Sequence, residues 1–95
     1  MHETGIVRDL VKRLESIVRD ADASSVSSVD IWLGALSQFS PAHFREHFVE
    51  EAEGTLAEGA ALRIETSDDF ANPDALHVMI RTVDLDMPEG DGEAR

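Results

Sequence analysis

The chain opens Met1-His2-Glu3, residue types that together can hold a metal ion. Methionine is retained ahead of a side chain as large as histidine, so the α-amine is expected on Met1, two chelate steps from an imidazole. That amine, the deprotonated amide nitrogen of His2 and one imidazole nitrogen would close fused rings around one ion. The amide or carboxylate of Glu3 would supply the fourth position. Planar, mostly nitrogen donors suit Ni(II) or Cu(II), whereas zinc prefers a tetrahedral set. The competing reading is a solvated histidine on a frayed end.

Other chemistry-bearing residues converge less clearly. His43 and His47 stand four apart, as do Glu46 and Glu50, a spacing that brings side chains together on one face of a helix. Their order is not the His-Glu-x-x-His of a zinc hydrolase. Phe44 and Phe48 set the buried face, so both imidazoles read as solvated or core-edge groups. His77 falls in a stretch read as strand and is taken as structural. There is no Gly-x-Ser-x-Gly elbow, and "EGTLAEGAA" lacks the spacing and the lysine of a phosphate loop. Carboxylates are too abundant for any pair to be diagnostic of acid/base catalysis. No enzyme is expected.

Asp and Glu number 20 against 8 Lys and Arg, a formal charge of -12, which repels nucleic acid and anionic membranes alike. The only lysine is Lys12, and the acidity reads as a solvated, repulsive surface. No cysteine occurs, so disulfides, cysteine zinc sites and thiol nucleophiles are excluded. No apolar run is long enough to span a membrane and no signal peptide opens the chain, so a soluble cytoplasmic protein is expected. Ninety-five residues suit one domain, read as 1–87, with 88–95 a polar tail expected to be disordered.

The elements that must position these residues follow from periodicity. Val7, Leu10, Val11, Leu14, Ile17 and Val18 fall on one face of a helix, with Thr4 as its expected N-cap and "DADASS" as its stop. Val29, Ile31 and Leu33 alternate with Asp30, Trp32 and Gly34, predicting a strand over 29–36. Trp32 then packs under a neighbouring loop or anchors an interface. Ser40 and Pro41 open a second helix and Gly54 closes it. Residues 61–65 and 75–87 read as strands, most simply an antiparallel hairpin turned at Asn72-Pro73-Asp74. The order predicts an α/β fold: a two-layer sandwich with two helices on one face of a small mixed three-stranded sheet, in which 29–36 and 61–66 run parallel through a right-handed crossover.

Several of these segments together resemble the HypA/HybF family of hydrogenase-maturation nickel metallochaperones. The resemblance rests on Met1-His2-Glu3 leading into an amphipathic helix, on Gly34 to Ser37 as a Gly-x-x-Ser, and on Pro41, Phe44 and Phe48. The block "EGTLAEGAALRIE" at 53–65 matches the family's strand entry, and "ALHVMIRTVDLDM" its final strand. It implies a Ni(II) site at Met1, His2 and Glu3, nickel delivery to a nickel-enzyme large subunit, a maturation GTPase as partner, and a possible homodimer. Two departures stand out. The family's zinc ribbon, with two Cys-x-x-Cys pairs, is replaced by "TSDDFANPD", so no zinc is expected. Ala35 stands where a Glu often precedes the Ser by two. The alternative is a metal-free interaction module docking a hydrogenase-like subunit or maturation partner.

Overall fold

The computed structural model describes residues 3–37 and 39–88. The first helix, α1 (Glu3–Asp20), carries the apolar stripe that its periodicity predicts, and Val7, Leu10, Val11, Leu14 and Val18 are buried along it. It begins at Glu3, so Thr4 lies inside the helix and is not its cap. At the other end Ala23 N donates to Val18 O at 3.0 Å and Asp22 N to Arg19 O at 3.1 Å. That pair of bonds satisfies two terminal carbonyls and requires a left-handed residue, which is Asp22 at φ 57°.

Strand β1 (Ser25–Leu33) starts four residues earlier than its alternation suggests and stops at Leu33, three short of residue 36. Serines hid the start: Ser25, Ser27 and Ser28 carry no apolar signal. Their hydroxyls instead tie β1 to the last strand, Ser28 Oγ donating to Asp84 Oδ2 at 2.7 Å and Ser27 Oγ to the Asp84 carbonyl at 3.0 Å. The ladder is irregular between Val26 and Ser28, which breaks the two-residue period. Beyond Leu33 the backbone turns, Ser37 N donating to Gly34 O.

Helix α2 (Pro41–Ala52) forms as its sequence dictates. Ser40 is extended at φ -91°, ψ 155°, its side chain accepts from His43 N, and Pro41 occupies the first turn, where a missing N–H costs nothing. Glu53 caps its far end, and Gly54 follows at φ 79°.

Strands β2 (Ala61–Thr66) and β3 (Val78–Asp86) complete the sheet in the order β2-β1-β3, with β2 parallel and β3 antiparallel to β1. The expected hairpin is therefore wrong: β2 and β3 never pair, and β3 begins at Val78 because residues 75–77 belong to the connection. The physical reason lies in β1. It buries Val29, Ile31, Trp32 and Leu33, side chains on both of its faces, and so takes the centre. Arg63, Glu65, Arg81 and Asp84 are exposed charges suited to edge strands. The 67–77 connection crosses the end of β1, where Ser67 N donates to Leu33 O, Gly34 N to His77 O and Leu36 N to Ala75 O. Those bonds replace the ones a hairpin would have made.

Both helices pack on one face of the sheet and on each other. Phe44, Phe48, Leu14, Ile31 and Leu33 are the largest fully sealed side chains or nearly so. Phe39 meets Phe44 edge-on at 5.3 Å between centroids, and Phe48 stacks at 6.4 Å from Phe44. Each buried ring contributes roughly 1.5–3 kcal/mol of transfer free energy. The opposite face is polar: Arg63 pairs with Asp30 and reaches Asp84 at 3.7 Å, and Arg81 reaches Glu65 at 3.9 Å. A two-layer arrangement follows, because that face has little left to bury.

Candidate metal centre

Helices α1 and α2 lie side by side and run in the same direction. Arg8 clamps Glu51 with both arms, Nε to Oε1 at 3.0 Å and Nη2 to Oε2 at 3.4 Å. Seven residues further along α1, Glu15 Oε2 accepts from Leu56 N at 3.4 Å. Leu56 follows the end of α2 at Ala52, so the two contacts advance in the same direction along α1 and along α2 with the turn that follows it.

Met1 and His2 lie outside the described residues, and Glu3 is the first residue of α1. Among the described residues no group of three or more His, Asp or Glu side chains is gathered as a metal site. Two imidazoles do lie together on α2. His43 and His47 sit with ring centroids 4.9 Å apart and planes tilted by 43°. His43 is exposed and His47 half-buried, as expected for imidazoles beside the Phe44–Phe48 stripe. A shallow groove beside His43 is lined by Ser40, Ala42, Arg45, Glu46, Val49 and Glu50.

Charge around this turn of α2 is set by the clamp. The hydrogen bond from Arg8 is the main cause that holds the Glu51 carboxyl below its ordinary range, and His47 adds a smaller electrostatic pull in the same direction. Arg8 is correspondingly raised, first by that hydrogen bond and then by the carboxylate charge. Arg45 is directed elsewhere, donating to the Leu62 carbonyl at 3.0 Å and tying α2 to β2. The Arg8–Glu51 clamp had no sequence signal, since its partners are 43 residues apart.

His77 does not sit in a strand. It ends the 67–77 connection, with Nδ1 at 3.4 Å from Asp74 Oδ1 and its carbonyl accepting from Gly34 N. The Gly34–Ser37 stretch forms the turn beneath that connection. A Cβ on Gly34 would lie 2.3 Å from the Ala75 carbonyl oxygen, so the loop backbone occupies the space a side chain would need. By strand alternation Trp32 shares that face of β1. It is 8% exposed, which favours the packing role over an interface anchor. No helix among the described residues is long and apolar enough to cross a membrane.

The fold and the position of these residues define a small two-layer α/β domain: an N-terminal helix, a parallel β1–α2–β2 unit and an antiparallel third strand. The same fold occurs in the solution structure of the Ni metallochaperone HypA from Helicobacter pylori, with a TM-score of 0.78 over 93% of this chain and 100% of that one at 15% identity. A second HypA solution structure matches with a TM-score of 0.71 over 90% of this chain and 96% of that one, at 16% identity. At the sequence level, residues 1–72 match the family model for hydrogenase/urease nickel incorporation, metallochaperone, hypA. The chain belongs to the HypA family. It is 42% identical over 64 residues to hydrogenase maturation factor HypA 1 of Bradyrhizobium diazoefficiens, covering 67% of this chain and 57% of that protein. To hydrogenase maturation factor HypA of Aquifex aeolicus it is 38% identical over 65 residues, covering 68% of this chain and 56% of the relative. The chain thus spans a little over half the length of the curated relatives it matches.

Proposed function

We propose that this protein is a nickel carrier of hydrogenase maturation, holding Ni(II) through the Met1 amine, His2 and Glu3 and passing it to a nickel-enzyme precursor. The observation that carries the reading is that the family match begins at residue 1, taking in Met1-His2-Glu3 with the helix that follows. The donor chemistry fits the ion, because amine, amide and imidazole nitrogens impose the planar field that Ni(II) accepts. Its partners would be a maturation GTPase and a nickel-enzyme large subunit, met in the cytoplasm, with homodimerisation a further possibility to test. Nickel is cargo in this scheme and no bond in a substrate is made or broken, so the role is not enzymatic. Residues 1–87 would act as one nickel-binding domain with 88–95 as its tail. A chain without cysteine cannot build the ribbon's zinc site, so folding would need no zinc.

Nickel titration of protein whose first residue is Met1 tests the proposal. His2→Ala should strongly weaken binding while leaving the far-UV circular dichroism unchanged. A single residue added before Met1 should do the same, since it keeps every side chain but converts the amine to an amide, a poor donor. Binding should also fall as pH is lowered, because amine, imidazole and amide nitrogen must each lose a proton to coordinate. Unchanged affinity in the extended protein would remove the terminal chelate from consideration.

A further inference from the structure

We propose that His43 and His47 form a second site for a borderline divalent cation of the Ni(II) class, separate from the terminal chelate. The sequence gives only their spacing, and the structure adds that the two rings already lie together, with centroids 4.9 Å apart on one side of α2. Two imidazoles one helical turn apart are spaced so that each can give a nitrogen to a common ion at the roughly 2.0–2.1 Å typical of metal–imidazole bonds. His43 is exposed and His47 half-buried, both at the margin of the Phe44–Phe48 core.

The surroundings favour a cation. Glu46 and Glu50 line the adjoining groove. Of the two nearby arginines, Arg8 is paired with Glu51, while Arg45 donates to the Leu62 carbonyl and leaves one positive charge beside the two carboxylates of the groove. Neutral imidazole is a ligand shared by nickel, copper and zinc, and two of them leave the remaining coordination positions to water or to a donor from another molecule. Such an open, partial ligand set suits an ion in transit, which must be released as readily as it is held.

The test uses protein with one residue added before Met1, which disables the terminal chelate while retaining the whole chain. Nickel should still bind, more weakly than to the unextended protein, and its paramagnetism should broaden the ring proton signals of His43 and His47 first. In that background His43→Gln and His47→Gln should each abolish the remaining binding with no loss of helical circular dichroism. Ala42→His combined with His43→Gln keeps two imidazoles on α2 but spaces them five apart, on different faces, and should not restore it. The proposal is overturned if the extended protein is silent to nickel, if binding survives His47→Gln, or if the Ala42→His combination binds as well. Failure of the terminal reading looks different: it appears as equal affinity of unextended and extended protein, whatever the residues on α2.

Discussion

Gly34 is the residue whose identity the structure explains most directly. A Cβ there would stand 2.3 Å from the Ala75 oxygen, 2.6 Å from its carbonyl carbon and 2.7 Å from the Asp74 oxygen. All three are backbone atoms, held in place because Gly34 N donates to His77 O and Leu36 N to Ala75 O. A flexible side chain could step aside, but this loop cannot without giving up those bonds. Gly34→Ala is therefore expected to destabilise the protein by about 1–3 kcal/mol, the usual cost of overpacking a fitted site. Thermal unfolding followed by circular dichroism checks it, and an unchanged midpoint would show that the 67–77 connection yields freely. Sequence reading marks Gly34 as part of a Gly-x-x-Ser but gives no reason for the glycine, because the atoms that exclude a side chain arrive from 40 residues downstream.

Between elements, the joint most open to measurement is the Arg8–Glu51 clamp that sets α1 against α2. Glu51 has its carboxyl pKa lowered in the folded state, chiefly by the hydrogen bond from Arg8. A depressed carboxylate contributes stability that is fully present above its unfolded value, about 4.3 for Glu, and that is lost as pH falls through the lower folded value. Glu51→Gln should thus lower the melting temperature modestly at neutral pH. The gap between variant and parent should close as pH drops below about 4. A gap that stayed constant down to low pH would mean that the glutamate acts by packing rather than charge.

For the molecule as a whole, the dominant quantity is the formal charge of -12 on 95 residues. Among the described residues, carboxylates meet an arginine at Arg8–Glu51, Arg63–Asp30 and Arg81–Glu65, while the sequence carries 20 acidic residues against 8 Lys and Arg. The excess carboxylates repel one another across a small surface, and repulsion acts against the compact state. Added salt shortens the screening length from about 30 Å at 0.01 M to about 8 Å at 0.15 M. The melting temperature should accordingly rise steeply over the first increments of sodium chloride at neutral pH and then level off. A flat response would show that repulsion is already relieved by the fold, and a uniform rise with sucrose as well would point to excluded volume instead of charge.

The sequence alone determined what depends on neighbours along the chain. The apolar stripe from Val7 to Val18, the Ser40–Pro41 start of α2, the Gly54 stop and the parallel β1–α2–β2 unit follow from local period, capping chemistry and backbone freedom. The Met1-His2-Glu3 opening and the "EGTLAEGAALRIE" block were enough to mark the family, since side-chain identity in order is what a family match reads. Tertiary structure decided whatever joins distant residues. It put β1 between β2 and β3 in place of a β2–β3 hairpin, because burial of β1 on both faces outweighs the short path between successive strands. It turned the serines of β1 into ties to Asp84, gave Gly34 its reason, and fixed Glu51 to a residue 43 positions away. Periodicity carries no trace of such contacts, because they become favourable only when the layers have closed and water has left the space between them.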